Sequence, residues 1–379
     1  MQTVPMIIIT TRAESAQYAI AELQKYDAQI RPVRELERGV RLMTLPNGWA
    51  QFMMDAPPLV FVRHIFPVMY STKISGEADG FTSPNTDEIM RIIDETVFAG
   101  VSAELAHTFS VQVRGSVRAV RQVATDRLVA SIDAALVARG LKKDVKHPHW
   151  VVSLFFHENE AGEGTMYAGV STATANRSRW NGGAAHYANE GVLSRAAHKL
   201  TEALEVFGLA HGMNGGAPIV STQTRALDLG AAPGGWTKVL LEAGAHVIAV
   251  DPGALDTRLA NHPRLRYVCA TAQRFFAEAA KATDRAKTPK ADNMADARYD
   301  LIVNDMKMDM YESARIMCDA AFLLAPNGHA IMTLKLKPGQ GPAKIKKALD
   351  ILAMKYHVAG TRQLFHNRDE VTVCLTARI

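Results

Sequence analysis

Two hydrophobic periodicities divide the chain. In the first half, short apolar or alternating runs are interleaved with stretches whose apolar residues recur every three to four positions, so strands and helices alternate. "VPMIIITT" (4–11) predicts a strand and "SAQYAIAELQKY" (15–26) a helix. "FSVQVRG" (109–115) and "ATDRLVASIDAALVARG" (124–140) repeat that pairing, and "WVVSLFFHE" (150–158) and "TMYAGVST" (165–172) predict two further strands. This is an α+β layout. From residue 193 the pattern changes to a helix over 194–208 followed by β-α-β repeats with continuously apolar strands: "RALDLG" (225–230), "AHVIAV" (245–250), "DLIVND" (300–305) and "GHAIMTLKL" (328–336). Strands apolar on both faces are covered on both faces, which predicts a doubly wound, mostly parallel α/β sheet. Between the halves, 171–192 is rich in Ser, Asn, Gly and Ala without periodicity. The expected division is therefore an α+β region over 1–175, a basic linker over 176–192 and an α/β domain over 193–379. A segment rich in alanine and charge, 277–298, is expected to be a surface insertion.

At 379 residues and 41.3 kDa the chain can bury two or three cores without covalent staples. Its three cysteines, Cys269, Cys318 and Cys374, are far apart and form no CxxC pair, so no disulfide framework and no metal site is expected, and a reducing cytoplasm fits. Without a basic leader or an apolar run of about 18 residues, neither secretion nor membrane insertion is expected. The net charge of +5 is mild, but its distribution is not even. Arg177, Arg179, Arg195 and Lys199 lie with Trp180 and Tyr187 in a stretch holding one acid, Glu190. Arg114, Arg118 and Arg121 form a second cluster, Lys142, Lys143 and Lys146 a third, and the five lysines of 335–347 a fourth. Basic clusters with interleaved aromatics suit RNA as partner.

The chemistry concentrates in "ALDLGAAPGGWTKVLLEAGAHVIAVDPG" (226–253). Asp228 falls near the end of one strand, Gly230, Gly234 and Gly235 permit a turn, and the following helix offers free N–H groups to a ligand. Asp251, ending the next strand, can accept hydrogen bonds from ribose hydroxyls. The order G-A-A-P-G-G departs from the dinucleotide pattern GxGxxG, and Pro233 removes a donor from the loop. An acid here sits poorly beside a diphosphate and well beside the ammonium and sulfonium groups of S-adenosylmethionine, so a methyl donor is expected in place of a nicotinamide. After the fourth apolar strand position the chain reads "NDMKMD" (304–309), without the Pro-Pro-aromatic turn that grips a planar amine, and Cys318 lies too far on to attack a pyrimidine. Ribose oxygen is the expected acceptor.

"DLGAAPGGW" (228–236) resembles the glycine turn of the FtsJ-type RNA 2′-O-methyltransferases. "LSRAAHKLTEALEVF", "AVDPG", "VNDM", "TLKL" and "RQLFHNRDEVTV" resemble further stretches of that family, in particular of members acting on large-subunit ribosomal RNA, and "WVVSLFFHE…MYAGVS" resembles their ferredoxin-like, RNA-binding THUMP region. The resemblance implies a Rossmann-like class I methyltransferase domain with a mostly parallel seven-stranded sheet. It also implies a catalytic tetrad of Lys199, Asp305, Lys335 and Glu370, with Lys335 as general base, Lys199 tuning and positioning, and the two acids orienting the ammonium groups. Lys337, two residues on, is the competing register for the base. For the cofactor it implies Ser194, Asp228, Gly230, Ala232, Pro233, Gly234, Gly235, Trp236, Asp251 and Asp305, with Thr271 or Gln273 where relatives place an acid against adenine. The implied substrate is a cytidine ribose of 23S ribosomal RNA, modified by a monomer without a metal. The alternatives are an RNA-binding assembly factor that keeps the cofactor fold without turnover, 2′-O-methylation of a different RNA, and a nicotinamide oxidoreductase, against which Pro233 in the turn argues.

Overall fold

The computed structural model describes residues 4–74, 86–98, 107–116, 125–188, 191–210, 218–285, 298–337 and 341–378. It divides into two compact units, Met1–His186 and Tyr187–Ile379.

The first unit is built on two sheets. Strands β1 (Met6–Thr10), β2 (Pro32–Glu37), β3 (Val40–Thr44) and β4 (His64–Val68), with helices α1 (Ala16–Tyr26) and α2 (Gly48–Asp55), run β-α-β-β-α-β. Their antiparallel order β2-β3-β1-β4 is the ferredoxin-like arrangement. Ile7, Ile8 and Ile9 are fully buried because β1 is an inner strand covered on both faces, and Ile8 packs in one cluster with Phe155 and Tyr167 of the second sheet. That sheet comprises β5 (Tyr70–Ile74), β6 (Thr108–Gly115), β7 (Lys142–Lys143), β8 (Trp150–Glu158) and β9 (Gly164–Thr172), in the order β5-β9-β8-β6-β7. Helices α3 (Thr86–Ile93) and α4 (Thr125–Ala138) bury Ile89, Ile93, Leu128 and Ile132 against its Phe109, Val152 and Phe156.

Two of the arginines read from the sequence as RNA-facing are internal. Arg114 donates to Thr10 Oγ1 at 2.7 Å and lies over the Phe155 ring, and burial lowers its pKa. Arg177 donates to the carbonyls of Leu59 and Val62 and is likewise pulled down by burial, to about 10. Each is half-buried and committed to internal acceptors, so neither is presented on a solvated basic face. Arg118 and Arg121 lie outside the described residues.

The second unit starts with helix α5 (Ala196–Val206), shorter than the expected 194–208 at both ends. It continues β10 (Arg225–Leu229), α6 (Gly235–Glu242), β11 (His246–Val250), β12 (Leu265–Val268), α7 (Ala272–Arg285), β13 (Tyr299–Asn304), α8 (Met310–Asp319), β14 (Leu324–Lys335), α9 (Pro342–Leu352), β15 (Tyr356–Arg362) and β16 (Glu370–Ala377). The seven-stranded sheet has the order β12-β11-β10-β13-β14-β16-β15, and β16 alone runs opposite to the other six strands. Glu370 opens an inner strand, since β16 lies between β14 and β15. One expectation is corrected. Residues 277–285 of the supposed insertion are the end of α7, which buries Phe276 and Ala279, while 286–297 lie outside the described residues.

Candidate active site

The topology brings separate strands to one edge. Parallel strands all end at the same side of the sheet, which places Asp228, Asp251, Asp305 and Lys335 there in turn. Because β16 is antiparallel it begins where β14 ends, and the ladder pairs Lys335 with Glu370. Helix α5 supplies Lys199.

These side chains close an alternating ring of charges. Lys335 Nζ lies 2.5 Å from Asp305 Oδ1 and 2.5 Å from Glu370 Oε2. Lys199 Nζ lies 3.2 Å from Asp305 Oδ2 and 2.7 Å from Glu370 Oε1. Each ammonium thus bridges both carboxylates, and all four side chains are largely withdrawn from water, where such contacts are least screened. Burial pushes the Lys335 ammonium toward lower pKa, but the carboxylates of Asp305 and Glu370 outweigh it, and the net direction is upward. In the resting site Lys335 therefore holds its proton. Lys337, the competing register, is 70% exposed and stands 3.7 Å from Asp309, away from the ring.

Thr333 was not singled out from the sequence. Its hydroxyl donates to Asp305 Oδ1 at 2.6 Å, so this carboxylate is held by a strand hydroxyl as well as by two lysines. The signal was available: Thr333 and Lys335 are two apart on one strand and share a face.

The glycine turn lies beside the ring. Gly230 has φ +75°, and a Cβ there would come within 2.3 Å of Met306 Cγ. Gly234 (φ +112°) caps α6 in the left-handed region. A Cβ on Gly235 would meet Ser194 Oγ at 2.2 Å, and that hydroxyl is buried with no hydrogen-bond partner among the described residues. The Ala232–Pro233 bond is cis, and Pro233 O accepts from Asp256 N. Asp251 receives the N–H groups of Ala232 (3.1 Å) and Gly253 (2.6 Å), and Tyr267, also not foreseen, donates to the carbonyls of Asp251 and Gly253.

Two of the expected cofactor residues have other work for their side chains. Trp236 is 3% exposed in the core, with Nε1 donating to Ala196 O at 2.7 Å, so only its backbone is placed to meet a ligand. Thr271 Oγ1 accepts the Arg274 N–H at the start of α7, a helix-capping role. Gln273, the alternative, is exposed.

Asp228 defines the electrostatics. Its carboxyl is fully buried and accepts from Thr237 Oγ1 at 2.6 Å. Burial lifts its pKa to about 7, the Thr237 hydrogen bonds oppose this, and the charges of Asp305 and Asp251 add to the rise. Asp228 and Asp251, at the ends of neighbouring strands, suit a cationic ligand better than a diphosphate, and as acceptors they are compatible with the ammonium and hydroxyl groups of S-adenosylmethionine.

Residues 192–340 match the model of the FtsJ-like methyltransferase family. This region is an FtsJ-like methyltransferase domain. S-Adenosylmethionine is the methyl donor that such a domain takes. Among curated proteins, the ribosomal RNA large subunit methyltransferase M of Laribacter hongkongensis is 32% identical over 188 residues, covering 48% of this chain and 47% of that protein. The proteins of the same name from Pseudoalteromonas atlantica and Halorhodospira halophila are 30% and 34% identical, covering 48% and 39% of this chain and 47% and 38% of theirs. The chain thus spans about half the length of the curated relatives it matches. Among the described residues, no helix is long and apolar enough to cross a membrane, and no group of His, Cys, Asp and Glu is arranged to hold a metal ion.

Proposed function

We propose that the chain is an S-adenosylmethionine-dependent ribose 2′-O-methyltransferase acting on large-subunit ribosomal RNA, with a cytidine ribose as acceptor. One observation carries the reading: the closed ring of Lys199, Asp305, Lys335 and Glu370 at the ligand-binding edge of an FtsJ-like domain. The names of the relatives support the choice of RNA.

A ribose hydroxyl must lose its proton as it attacks, and Lys335 Nζ is the group assigned to take it. S-Adenosylmethionine supplies the electrophilic methyl. Asp305 and Glu370 hold Nζ in place and keep it protonated at rest, so the base is the neutral minority of Lys335, a fraction that grows tenfold per pH unit below its pKa. Lys199 spans the same two carboxylates from the opposite side and draws off part of their charge, which makes loss of the Lys335 proton less costly. Asp251 and the backbone of 232–236 hold the cofactor, and Asp228 balances its positive charge. The cleft around the ring is the site where the RNA presents its ribose, and a share of RNA binding falls to the first unit, where Lys142, Lys143 and Lys146 lie exposed and Arg179 stacks 4.7 Å over Trp180.

The test is transfer of a labelled methyl from S-adenosylmethionine to protein-free large-subunit RNA, followed by mapping of alkali-resistant linkages. Resistance confined to one cytidine supports the reading. Cofactor binding without transfer to any ribosomal RNA would move the substrate to another RNA, or the function to assembly alone.

A further inference from the structure

Around the lysines opens a cleft of about 620 Å³, and its lining adds a ring to the charges. Arg195, Lys307 and Arg368 line it together with Phe365. Tyr267, Phe322 and Phe365 are the large aromatic side chains exposed among the described residues of this unit, and of these Phe365 lines the cleft, at 37% exposure.

An exposed phenylalanine on a loop is ordinarily mobile; this one is braced. Glu202, one turn along α5 from Lys199 and 4% exposed, receives three donors from the loop: Phe365 N at 2.7 Å, His366 N at 3.0 Å and His366 Nδ1 at 2.8 Å. The His366 ring leans on those of His198 and Tyr187, with centroids 5.1 and 5.4 Å away, and Tyr187 and His198 stack at 5.7 Å. On the other side Leu364 is buried, and its N–H donates to Asn367 Oδ1 at 2.8 Å. The Glu202 bonds and ring stacking thus fix the backbone on either side of Phe365, whose ring meets that of His366 edge-on with centroids 5.2 Å apart and is part-exposed to the cleft.

Resting on the reading of this cleft as the RNA site, we infer that Phe365 is the platform on which an unpaired base of the substrate stacks, beside the ribose that Lys335 serves. A ring face accepts any base, and the cations around it suit the flanking phosphates. Glu202 and His366 are positioning residues that hold the platform. Loss of one such stack weakens single-strand binding about 5- to 150-fold.

The experiment titrates the full chain into short single-stranded RNA oligonucleotides carrying 2-aminopurine, whose fluorescence falls on stacking. Wild type is expected to quench it; Phe365→Leu, which keeps the apolar bulk without the ring, loses the quench and binds about tenfold more weakly; Phe365→Tyr restores both. S-Adenosylmethionine affinity, measured by calorimetry, stays unchanged in each and shows the fold intact. A Phe365→Leu chain that quenches like wild type overturns the inference, as does a wild type that binds without quenching. The readout needs no turnover: a wild type that stacks RNA yet transfers no methyl overturns the proposed function and leaves the platform standing.

Discussion

Two buried groups in the catalytic unit carry pKa values that make opposite demands. Lys335 is held charged by Asp305 and Glu370, so the base form is scarce at neutral pH. If the chemical step limits turnover, kcat/KM rises about tenfold per pH unit from 6.5 to 8.5 with no plateau, because that parameter reports the free enzyme; a plateau by pH 7 would contradict a raised pKa. Asp228 is an acid lifted to about 7 from 3.8. Between these values the unfolded chain has already released the proton that the folded chain keeps, so this residue's contribution to stability falls as pH rises from about 4 to about 7, by at most roughly 4 kcal/mol. Asp228→Asn should therefore flatten the loss of stability between pH 5 and pH 8 in urea unfolding, while weakening cofactor binding. Parallel wild-type and mutant curves would show that the carboxyl ionises normally. The four charged residues of the ring were legible in the sequence because each sits in a short motif. Tyr267 and Glu202 were not, because their partners are 16 and 163 or more positions away and only the fold brings them together; Thr333 lies in the TLKL stretch itself, two residues from Lys335 on the same strand face.

At the scale of elements, continuous apolar runs revealed β10, β11, β13 and β14, and the G-A-A-P-G-G order located the turn before α6. What the runs could not reveal is order. The sequence "EVTVCL" alternates as an outer strand would, yet β16 is an inner strand, and its antiparallel insertion is what sets Glu370 opposite Lys335. The alanine-rich start of 277–298 looked like a loop because charge masked a helical face that includes Phe276 and Ala279. The turn gives a sharp test. Gly230 combines a left-handed φ with a missing Cβ 2.3 Å from Met306, so Gly230→Ala is expected to lose about 1–3 kcal/mol in chemical denaturation and to impair cofactor binding with it. A variant with wild-type stability and affinity would mean the turn does not depend on that glycine.

At the scale of the whole molecule, the two units have separate cores, and the cofactor and ring residues all lie within residues 187–379. That segment expressed alone is expected to bind S-adenosylmethionine within about threefold of the full chain, but to lose RNA affinity and show a shallower dependence of it on salt, since fewer cations then meet phosphate; an equal salt slope in filter binding would deny the first unit a share in RNA contact. The central claim is that one lysine of the charge ring removes the ribose proton, and the most direct measurement is methyl transfer to large-subunit RNA by wild type and Lys335→Met side by side. The account predicts an alkali-resistant linkage with wild type, transfer reduced at least about a thousandfold in the variant, at the upper end for loss of a general base and a disrupted ring, and unchanged cofactor affinity in both. Near-normal transfer by Lys335→Met would contradict it.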